Sequence, residues 1–529
     1  MSFFQVTDII AIFPHLILVS GALIILILQI SLPRYRTESA FIISIIAVTI
    51  STLISIFGLS SEALVSIFGQ GASGLTYSGF LIGFDKLSKI SAFSGHTIWN
   101  AYSGLYVFGI LSCLLLTLLF TPKILKDINL NLSEAYQMIL YTGAGLLFFV
   151  TANNLIMIFI GLELASLPLF VLAAWDRKNK SANEAGMKYF LLGVFSVAFL
   201  LLGSALLYGA SGSMNLLDIN GLIEGTGIST DMKRLYSAGL ILVLVGIGFK
   251  VALFPFHGWV ADVYEGSLTI VTAFMAGLVK IASVSVFYKL MILLGKPMGE
   301  PIMLTIIILS VLSMFYGNFT ALVQTNIKRM FAFSSISHAG YMAALFVIPN
   351  TSRTGYLIHA EASGSLFFYA WGYALGSILV FGVIAYLENI TKKNNDRVQI
   401  TFEDLKGLSK RNPISAFLLS MGSLSFAGIP PLVGFYGKFY LLRVLFKENE
   451  IFLALMVTIN SLIGVYYYAR VVFNCYWDFE DEKSEEKSFA FKSVSAWISG
   501  ISLGILILII GIFSDFIVER AMFASLNFR

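Results

Sequence analysis

Long apolar segments constrain this sequence more than any other feature. A helix that crosses a bilayer needs about 20 predominantly apolar residues. Candidate segments lie at 8–31, 40–58, 103–121, 135–152, 154–174, 187–209, 236–256, 267–293, 302–324, 330–348, 364–388, 412–444, 452–476 and 494–517. The segment 412–444 is too long for one straight span, which predicts a break inside it. We therefore expect an all-α polytopic membrane protein with about fourteen transmembrane helices.

Composition supports a membrane protein and argues against other classes. Hydrophobic residues make up 57% and charged residues 12% of the 529 residues, against roughly 45–50% and 25% in soluble domains. A net charge of +4 is too small to indicate nucleic-acid binding. Cys113 and Cys475 form no ligand cluster, and no iron–sulfur motif is present. The expected surroundings are therefore a lipid bilayer, and no cofactor is expected in this chain.

Basic residues between the apolar segments predict the orientation. With the N-terminus outside, the inside loops carry Arg34, Arg36, Lys123, Lys126, Arg177, Lys178, Lys180, Lys328, Arg329, Lys392, Lys393, Arg397, Lys406, Lys410 and Arg411. The outside loops have fewer basic residues: Lys86, Lys89, Lys233, Arg234, Lys296, Arg353 and Lys447. The last inside loop, 478–487, is mainly acidic. An even number of spans returns the C-terminus to the outside.

Five ionisable residues lie inside apolar segments: Glu163, Lys188, Lys250, Lys280 and Lys438. A charge at mid-membrane costs at least about 2.5–3.5 kcal/mol, so such residues face protein or water. Buried lysine can be neutral as well as charged, and one carboxylate with several amines therefore predicts a proton route. We expect Glu163 and Lys250 to approach each other. The alternatives are that Lys188 and Lys280 extend to the membrane interface, or that Glu163 and Lys250 form a purely structural ion pair.

Three prolines predict broken helices in spans seven and twelve, because proline removes a backbone donor and clashes with the preceding turn. Pro255 follows Lys250, and Pro430 and Pro431 precede Lys438. A break beside a buried lysine would supply a hydrated pocket. The alternative, an ordinary proline kink, is sufficient for Pro255 taken alone.

The two breaks fall five helices apart, which predicts two inverted five-helix repeats. Helices 4–8 of the first repeat would occupy 133–293, and helices 9–13 of the second would occupy 302–476. Helices 1–3 would precede them in 1–132. The acidic loop and helix 14 would follow in 477–529.

Two of the five histidines, His257 and His338, are predicted not to bind metal. Neither has a cysteine, histidine or carboxylate at ligand spacing on its own helix. His338 is the better candidate for a proton relay, because histidine titrates near neutral pH and three serines precede it. A structural histidine at a helix interface is the alternative.

Several stretches of the sequence resemble one protein family. They are GLELASLPLF at 161–170, EAGMKYFLLG at 184–193, FKVALFPFHGWVADVYEG at 249–266, NIKRMFAFSSISHAGY at 326–341 and FAGIPPLVGFYGKFY at 426–440. Together they resemble NADH-quinone oxidoreductase subunit N, also called subunit 2, an antiporter-like membrane subunit of complex I. The resemblance implies that Glu163 and Lys250 are the family's charged pair, Lys188 and Lys280 its connecting lysines, and Lys438 its terminal lysine.

The resemblance also implies a function. The chain would translocate protons within an assembly that oxidises NADH, reduces a quinone and exports protons across a bacterial inner membrane, rather than a thylakoid-type membrane. Its partners would be the adjacent antiporter-like and small membrane subunits, and NADH, flavin, iron–sulfur clusters and quinone would bind to other subunits. Two alternatives are a sodium/proton antiporter subunit, and a non-conducting structural membrane subunit whose buried charges could be replaced without loss.

Overall fold

The computed structural model describes residues 5–31, 36–58, 66–67, 79–80, 90–127, 132–225, 229–351, 356–390, 399–477 and 494–526. All structural statements concern these ranges. The acidic loop 478–487 and the basic residues Arg34, Lys86, Lys89, Arg353, Lys392, Lys393 and Arg397 lie outside them.

Helices make up most of the described chain, and the expected all-α class is confirmed. In the N-terminal half they are α1 (Val6–Ala11), α2 (Phe13–Ser31), α3 (Arg36–Phe57), α4 (Ala101–Asp127), α5 (Ser133–Thr151), α6 (Leu155–Ala173), α7 (Lys180–Ser211), α8 (Leu216–Gly225), α9 (Thr230–Val251), α10 (Val260–Gly266) and α11 (Thr269–Leu294). In the C-terminal half they are α12 (Glu300–Leu322), α13 (Ile327–Ala344), α14 (Tyr356–Ile390), α15 (Pro413–Ala427), α16 (Val433–Lys447), α17 (Ile451–Tyr476), α18 (Val494–Ile512) and α19 (Ser514–Leu526). Short helical turns lie at Phe93–Gly95, Lys296–Met298, Leu345–Val347, Ile348–Thr351, Phe402–Leu405 and Leu408–Arg411.

The number of spans is smaller than the expected fourteen when judged by length and apolarity. Eleven helices of the described chain qualify, and α18 with α19, bent by 79°, would make a twelfth span. Two of the fourteen segments account for the difference. Helix α5 carries Glu134, Gln137 and Thr142 among its apolar residues. The segment 412–444 is divided into α15 and α16, each of only 15 residues.

Both predicted helix breaks are confirmed, and the first lies between α9 and α10. Helix α9 ends at Val251, α10 begins at Val260, and Pro255 lies between them. The backbone leaves α9 through Ala252 in the left-handed region, at φ 68°. The Trp259 indole donates a hydrogen bond of 3.1 Å to the carbonyl of Phe249, so a backbone group at the end of α9 is satisfied without water.

The second break separates α15 from α16. Helix α15 ends at Ala427 and α16 begins at Val433, with Pro430 and Pro431 between them. Gly428 ends α15 in the left-handed conformation, at φ 87°, where glycine carries no steric penalty. This is the break that the excess length of 412–444 predicted.

Glycines allow two helix pairs to approach closely. A Cβ atom added to Gly145 of α5 would lie 2.3 Å from the backbone nitrogen of Ala165 in α6. A Cβ atom added to Gly317 of α12 would lie 2.5 Å from the backbone nitrogen of Ser337 in α13. Small residues at such contacts let membrane helices gain van der Waals packing where no hydrophobic driving force exists.

A short β-hairpin, which the sequence patterns did not predict, precedes α4. Its strands β1 (Ile90–Ala92) and β2 (Thr97–Trp99) are antiparallel, and Ile90 pairs with Trp99. The carboxylate of Asp8 in α1 accepts a hydrogen bond of 2.6 Å from the backbone nitrogen of Phe93 in the turn. The hairpin is thereby attached to the N-terminal helices.

Candidate functional site: a buried row of amines

Three of the predicted lysines are buried, and each lies on a different helix. Lys250 is on α9, Lys280 on α11 and Lys438 on α16. Within the described ranges, no carboxylate oxygen lies within 4.0 Å of any of these three amines. Their surroundings are aromatic rings, backbone carbonyls and serine hydroxyls.

Lys250, one residue before the end of α9, lies among aromatic rings. Its Nζ atom is 4.8 Å from the ring centroid of Tyr189, 5.1 Å from that of Phe170 and 5.7 Å from that of Phe249. The Nζ atom has no hydrogen-bond partner among the described residues. The rings can stabilise an ammonium group through cation–π interactions, and they leave the amine without a fixed acceptor.

Glu163 on α6 is half-buried and interacts with Lys250 through space. The Glu163 carboxylate oxygens and the Lys250 Nζ atom lie more than 4.0 Å apart. The two residues therefore do not form a direct ion pair. Without a contact ion pair, the proton affinity of Lys250 is set by its aromatic surroundings as well as by the Glu163 carboxylate.

Lys280 follows a π-helical turn, Met275–Val279, within α11. Its Nζ atom donates to the Ser335 carbonyl at 2.5 Å and to the Ser335 hydroxyl at 2.8 Å. It also lies 5.1 Å from the ring centroid of Tyr373. The π turn shifts the register of α11 by one residue, immediately before this lysine. Lys280 is thus held inside the bundle and does not extend to the interface.

Lys438 uses the carbonyl groups that the second break leaves free. Its Nζ atom donates to the carbonyl of Phe426 at 2.9 Å, to that of Ala427 at 3.1 Å and to the Ser461 hydroxyl at 2.8 Å. The side chain lies over Gly428, where an added Cβ would be 3.3 Å from the lysine Cδ. The break therefore provides the carbonyl groups that accept hydrogen bonds from Lys438.

His338 on α13 lies between the last two lysines. Its Nδ1 atom is hydrogen-bonded to the Tyr369 hydroxyl at 2.9 Å, and its Nε2 atom to the Tyr468 hydroxyl at 3.0 Å. A neutral imidazole donates from one nitrogen and accepts at the other, so one tyrosine donates to the ring and the other accepts. The charges of Lys280 and Lys438 both act on His338.

Two tyrosines connect the histidine with its neighbouring lysines. The ring of Tyr373 contacts Lys280 and lies 4.8 Å from the His338 ring. The ring of Tyr341 lies 5.4 Å from the Nζ atom of Lys438 and 5.6 Å from the His338 ring.

Lys188 departs from the prediction that it is buried. Its side chain is 40% exposed, and its Nζ atom lies 2.7 Å from both Glu184 and Asp262. Glu184 precedes it by one helical turn, which is the spacing of a stabilising pair on a helix surface. The alternative given for Lys188, a side chain that extends to the membrane interface near a helix end, fits this exposed position.

The Asp262 carboxylate is shared by two cations that come from different helices. One oxygen binds Lys188 of α7, and the other accepts from Arg329 of α13 at 2.9 Å. Arg329 also lies 2.5 Å from Glu265. We refer to Glu184, Lys188, Asp262, Glu265 and Arg329 as the ion cluster. The DVYEG stretch at 262–266 and the KRM stretch at 328–330 contributed only to the family resemblance, and the pairing of their charges was not predicted.

Lys289 and Glu361 are among the buried ionisable residues that the sequence patterns did not single out. Lys289 of α11 donates to the carbonyl of Ala152 at 2.7 Å and to that of Val150 at 3.3 Å, and so caps α5. Glu361 of α14 lies between Arg443 and Lys447 of α16. Both residues are close to helix ends, where a charge in the sequence is ordinary. In the described chain, no group of three His, Cys, Asp or Glu residues is arranged to hold a metal ion.

Comparison with known proteins identifies the protein family of this chain. Residues 152–464 match the family described as NADH:quinone oxidoreductase/Mrp antiporter, TM. NADH-quinone oxidoreductase subunit N of Cytophaga hutchinsonii is 38% identical over 392 residues, which are 74% of this chain and 80% of that protein. The chain belongs to the subunit N family. The subunit N protein of Cupriavidus taiwanensis is 36% identical over 385 residues, 72% of this chain and 76% of its relative.

Chains of two solved membrane complexes share this fold. A chain of respiratory complex I from Thermus thermophilus, with bound aureothin, superposes with a TM-score of 0.74 at 26% identity, covering 96% of this chain and 98% of that one. A chain of the Mrp complex from Dietzia sp. DQ12-45-1b gives a TM-score of 0.78 at 16% identity, covering 100% and 98%. The second likeness is one of fold alone.

Proposed function

We propose that this chain is a proton-translocating membrane subunit of a respiratory NADH:quinone oxidoreductase. The proton route consists of Glu163, Lys250, Lys280, His338 and Lys438. Lys188, in the ion cluster, serves the inside end of this route. Subunit N proteins are named for their part in NADH-quinone oxidoreductase, and the solved relative is a chain of respiratory complex I.

The observation that carries the proposal is the placement of His338. It is buried, hydrogen-bonded on both ring nitrogens to tyrosine hydroxyls, and under the influence of two buried lysines. A structural histidine needs no buried cation on either side. Like charges that lie close together disfavour each other, so a proton on Lys280 or on Lys438 changes the affinity of the other sites for a proton. The three groups therefore titrate as a coupled set.

Hydration controls each step of this route. Lys438 can donate to the carbonyls of Phe426 and Ala427 as an ammonium group or as a neutral amine. Charge on the amine is favoured when water enters the break and disfavoured when water leaves. Aromatic rings surround Lys250, and among the described residues its amine has no hydrogen-bond partner through which a proton could pass to Lys280. The proposal therefore requires water to enter that section during turnover.

The proposed units of the chain are the two inverted repeats, 133–293 and 302–476. Each contains one helix break, and in each the first two helices are in close contact at glycine, α5 with α6 and α12 with α13. The segment 1–132 adds three helices before the repeats, and 477–529 adds the C-terminal helix. This correspondence supports the repeat assignment.

Other subunits of the assembly would supply the redox chemistry. The proposed partners are the adjacent antiporter-like and small membrane subunits, and NADH, flavin, iron–sulfur clusters and quinone would bind to other subunits of the assembled complex. The proposed location is a bacterial inner membrane, since the relatives compared above are bacterial proteins. This chain would convert conformational or electrostatic changes in its neighbours into proton movement.

The test replaces the route residues one at a time in the assembled complex. Lys250→Ala, Lys280→Ala, Lys438→Ala and His338→Ala variants are reconstituted into vesicles, and lumen acidification is measured together with NADH oxidation. We expect each lysine variant to lose most of its proton pumping per NADH oxidised, because an alanine cannot carry the proton. His338→Ala should impair pumping as well.

The matched control is Lys296→Ala, an exposed lysine in the turn before α12, which should pump normally. Normal pumping by an assembled Lys250→Ala complex would support a non-conducting structural subunit. Wild-type pumping that requires sodium ions would support a sodium/proton antiporter. Normal pumping by His338→Ala alone would assign that histidine a structural role.

A further inference from the structure

One buried carboxylate in the second half of the molecule has no part in the route described above. Among the described residues, only Asp8 and Glu361 are buried carboxylates. Asp8 accepts hydrogen bonds from the backbone nitrogens of Gln5 and Phe93, which accounts for its burial. Glu361 lies in the first turns of α14, and its side chain is only 9% exposed.

Two half-exposed cations of α16 reach Glu361 from the surface. Arg443 Nε lies 3.1 Å from one carboxylate oxygen and Lys447 Nζ lies 2.6 Å from the other. Arg443 is 47% and Lys447 43% exposed. Nearby, the Tyr440 hydroxyl donates to Asp515 of α19 at 2.5 Å. Glu361 thus lies at the boundary between the buried interior and the surface.

Glu361 also lies in line with the buried row of amines. Ser365 and Tyr369 follow it at intervals of four residues, so the three side chains share one face of α14. The Ser365 hydroxyl donates to the Glu361 carbonyl, and the Tyr369 hydroxyl is bonded to His338. Eight residues of helix span roughly 12 Å, a distance that Ser365 and a few water molecules could bridge.

The position of Glu361 fixes the side of the membrane that it faces. Helix α13 begins near Arg329 of the ion cluster and ends at Ala344. The next long helix, α14, therefore starts at the opposite end of the molecule. The basic residues of the loops place the ion cluster inside, and Glu361 therefore faces outside.

We infer that Glu361 is the proton release site of this subunit, the group through which protons leave the His338 and Lys438 region for the outside. This inference rests on the proposed proton-translocating function. A proton lost from the Lys438 ammonium leaves a neutral amine and passes by way of His338, Tyr369 and water to Glu361. The Glu361 carboxylate becomes a carboxylic acid, gives the proton to an outside water molecule to form hydronium, and is ionised again.

The experiment compares four variants in the assembled complex, with lumen acidification and NADH oxidation measured together. Glu361→Gln keeps the size and polarity of the side chain but cannot carry the proton, and we expect loss of pumping while NADH oxidation continues. Glu300→Gln, an exposed carboxylate at the start of α12 on the same side, should pump normally. The double variant Arg443→Gln with Lys447→Gln retains the carboxylate and should also pump. Lys438→Ala tests the proposed function in parallel.

Chemical labelling of the wild-type complex tests the proposal in a second way. If Glu361 had only a structural role, its labelling would not change between rest and turnover. A hydrophobic carbodiimide adds to a protonated carboxyl group and forms a stable acylurea, which mass spectrometry detects. We expect Glu361 to be labelled during turnover and protected at rest. This measurement holds even if the Glu361→Gln complex fails to assemble.

The outcomes separate the two proposals. Normal pumping by Glu361→Gln, or no labelling of Glu361 during turnover, overturns the release site. Equal loss of pumping in Glu361→Gln and in the double variant shows that the residue only joins α14 to α16, and overturns it too. If Lys438→Ala loses pumping while Glu361→Gln does not, only the release site fails. If Lys438→Ala pumps normally, the proposed route itself fails.

Discussion

Two lysines of the buried row, Lys280 and Lys438, are held by carbonyl and hydroxyl oxygens, and no carboxylate of the described residues contacts either amine. Lys438 binds two carbonyls at the second break, and Lys280 binds the Ser335 carbonyl and hydroxyl. These oxygens accept a hydrogen bond from an ammonium group and from a neutral amine alike, whereas a contacting carboxylate favours the ammonium form alone. This arrangement lets a lysine keep its position while its charge changes, which a proton route requires.

Gly428 tests the link between the second break and Lys438. In Gly428→Ala, the left-handed backbone at φ 87° costs about 1–2 kcal/mol, and the added Cβ lies 3.3 Å from the Lys438 Cδ. We expect a less stable complex in which Lys438 is displaced and pumping per NADH oxidised falls. Proton pumping and thermal unfolding are measured on the same preparation.

Gly212→Ala is the matched control for that substitution. Gly212 ends α7 at φ 71° and has no atoms within 4 Å of an added Cβ. The backbone penalty should therefore be similar, while pumping by the assembled complex stays normal. If both variants lose pumping to the same extent, the effect comes from stability and the role assigned to Gly428 is wrong.

The sequence predicted the buried residues unevenly. Lys250, Lys280 and Lys438 were identified because apolar residues flank each of them on both sides. Lys188 was expected among them, but the carboxylate of Glu184, one turn earlier, was the sign of an exposed pair. Glu361 lies within a turn or two of a helix end, where charge is common, and only the packing of α14 against α16 buries it.

At the scale of helices, close contacts determine how tightly the spans can pack. Helix α5 approaches α6 through Gly145 and Gly161, and an added Cβ at Gly161 would lie 2.4 Å from the backbone nitrogen of Phe149. Backbone atoms cannot move aside as a flexible side chain does. A larger residue at either position must therefore push one helix away from the other.

Gly145→Ala tests this contact. The added Cβ would lie 2.3 Å from the Ala165 nitrogen, and overpacking of this kind typically costs about 1–3 kcal/mol. We expect a lower unfolding temperature of the detergent-solubilised complex. Gly221→Ala in α8, where an added Cβ meets no atom within 4 Å, should leave stability unchanged or raise it by up to about 1 kcal/mol through helix propensity. Equal unfolding temperatures for the two variants would contradict the packing argument.

The helices themselves were the most predictable level of the structure. Apolar length identified the spans, and the prolines with the excess length of 412–444 identified both breaks, because a bilayer allows few alternatives to helix. The hairpin 90–99 was missed, since strands of three residues carry too short a pattern to recognise. The count of fourteen exceeded the qualifying spans because α5 is partly polar and because α15 and α16 are short halves of one segment.

At the scale of the whole molecule, the ion cluster joins the two halves of the chain. Asp262 of α10 belongs to the first proposed repeat and Arg329 of α13 to the second. The cluster and Glu361 lie at opposite ends of α13 and α14, so the buried row of amines is bounded by charged groups on both sides. Relative movement of the two repeats would have to stretch or break these pairs.

The last prediction concerns the strength of that connection. Asp262→Asn removes the anion shared by Lys188 and Arg329, but the groups are about one-third exposed. Solvent screening limits such pairs to roughly 1 kcal/mol or less, so we expect a small fall in the unfolding temperature at low salt. Salt screens surface charges, and the difference between variant and wild type should therefore shrink as ionic strength rises. Glu184→Gln, which removes an exposed partner of Lys188 within one helix, should have a smaller effect at every salt concentration. If Asp262→Asn destabilises the complex equally at low and high salt, the contact between the repeats depends on packing and not on these charges.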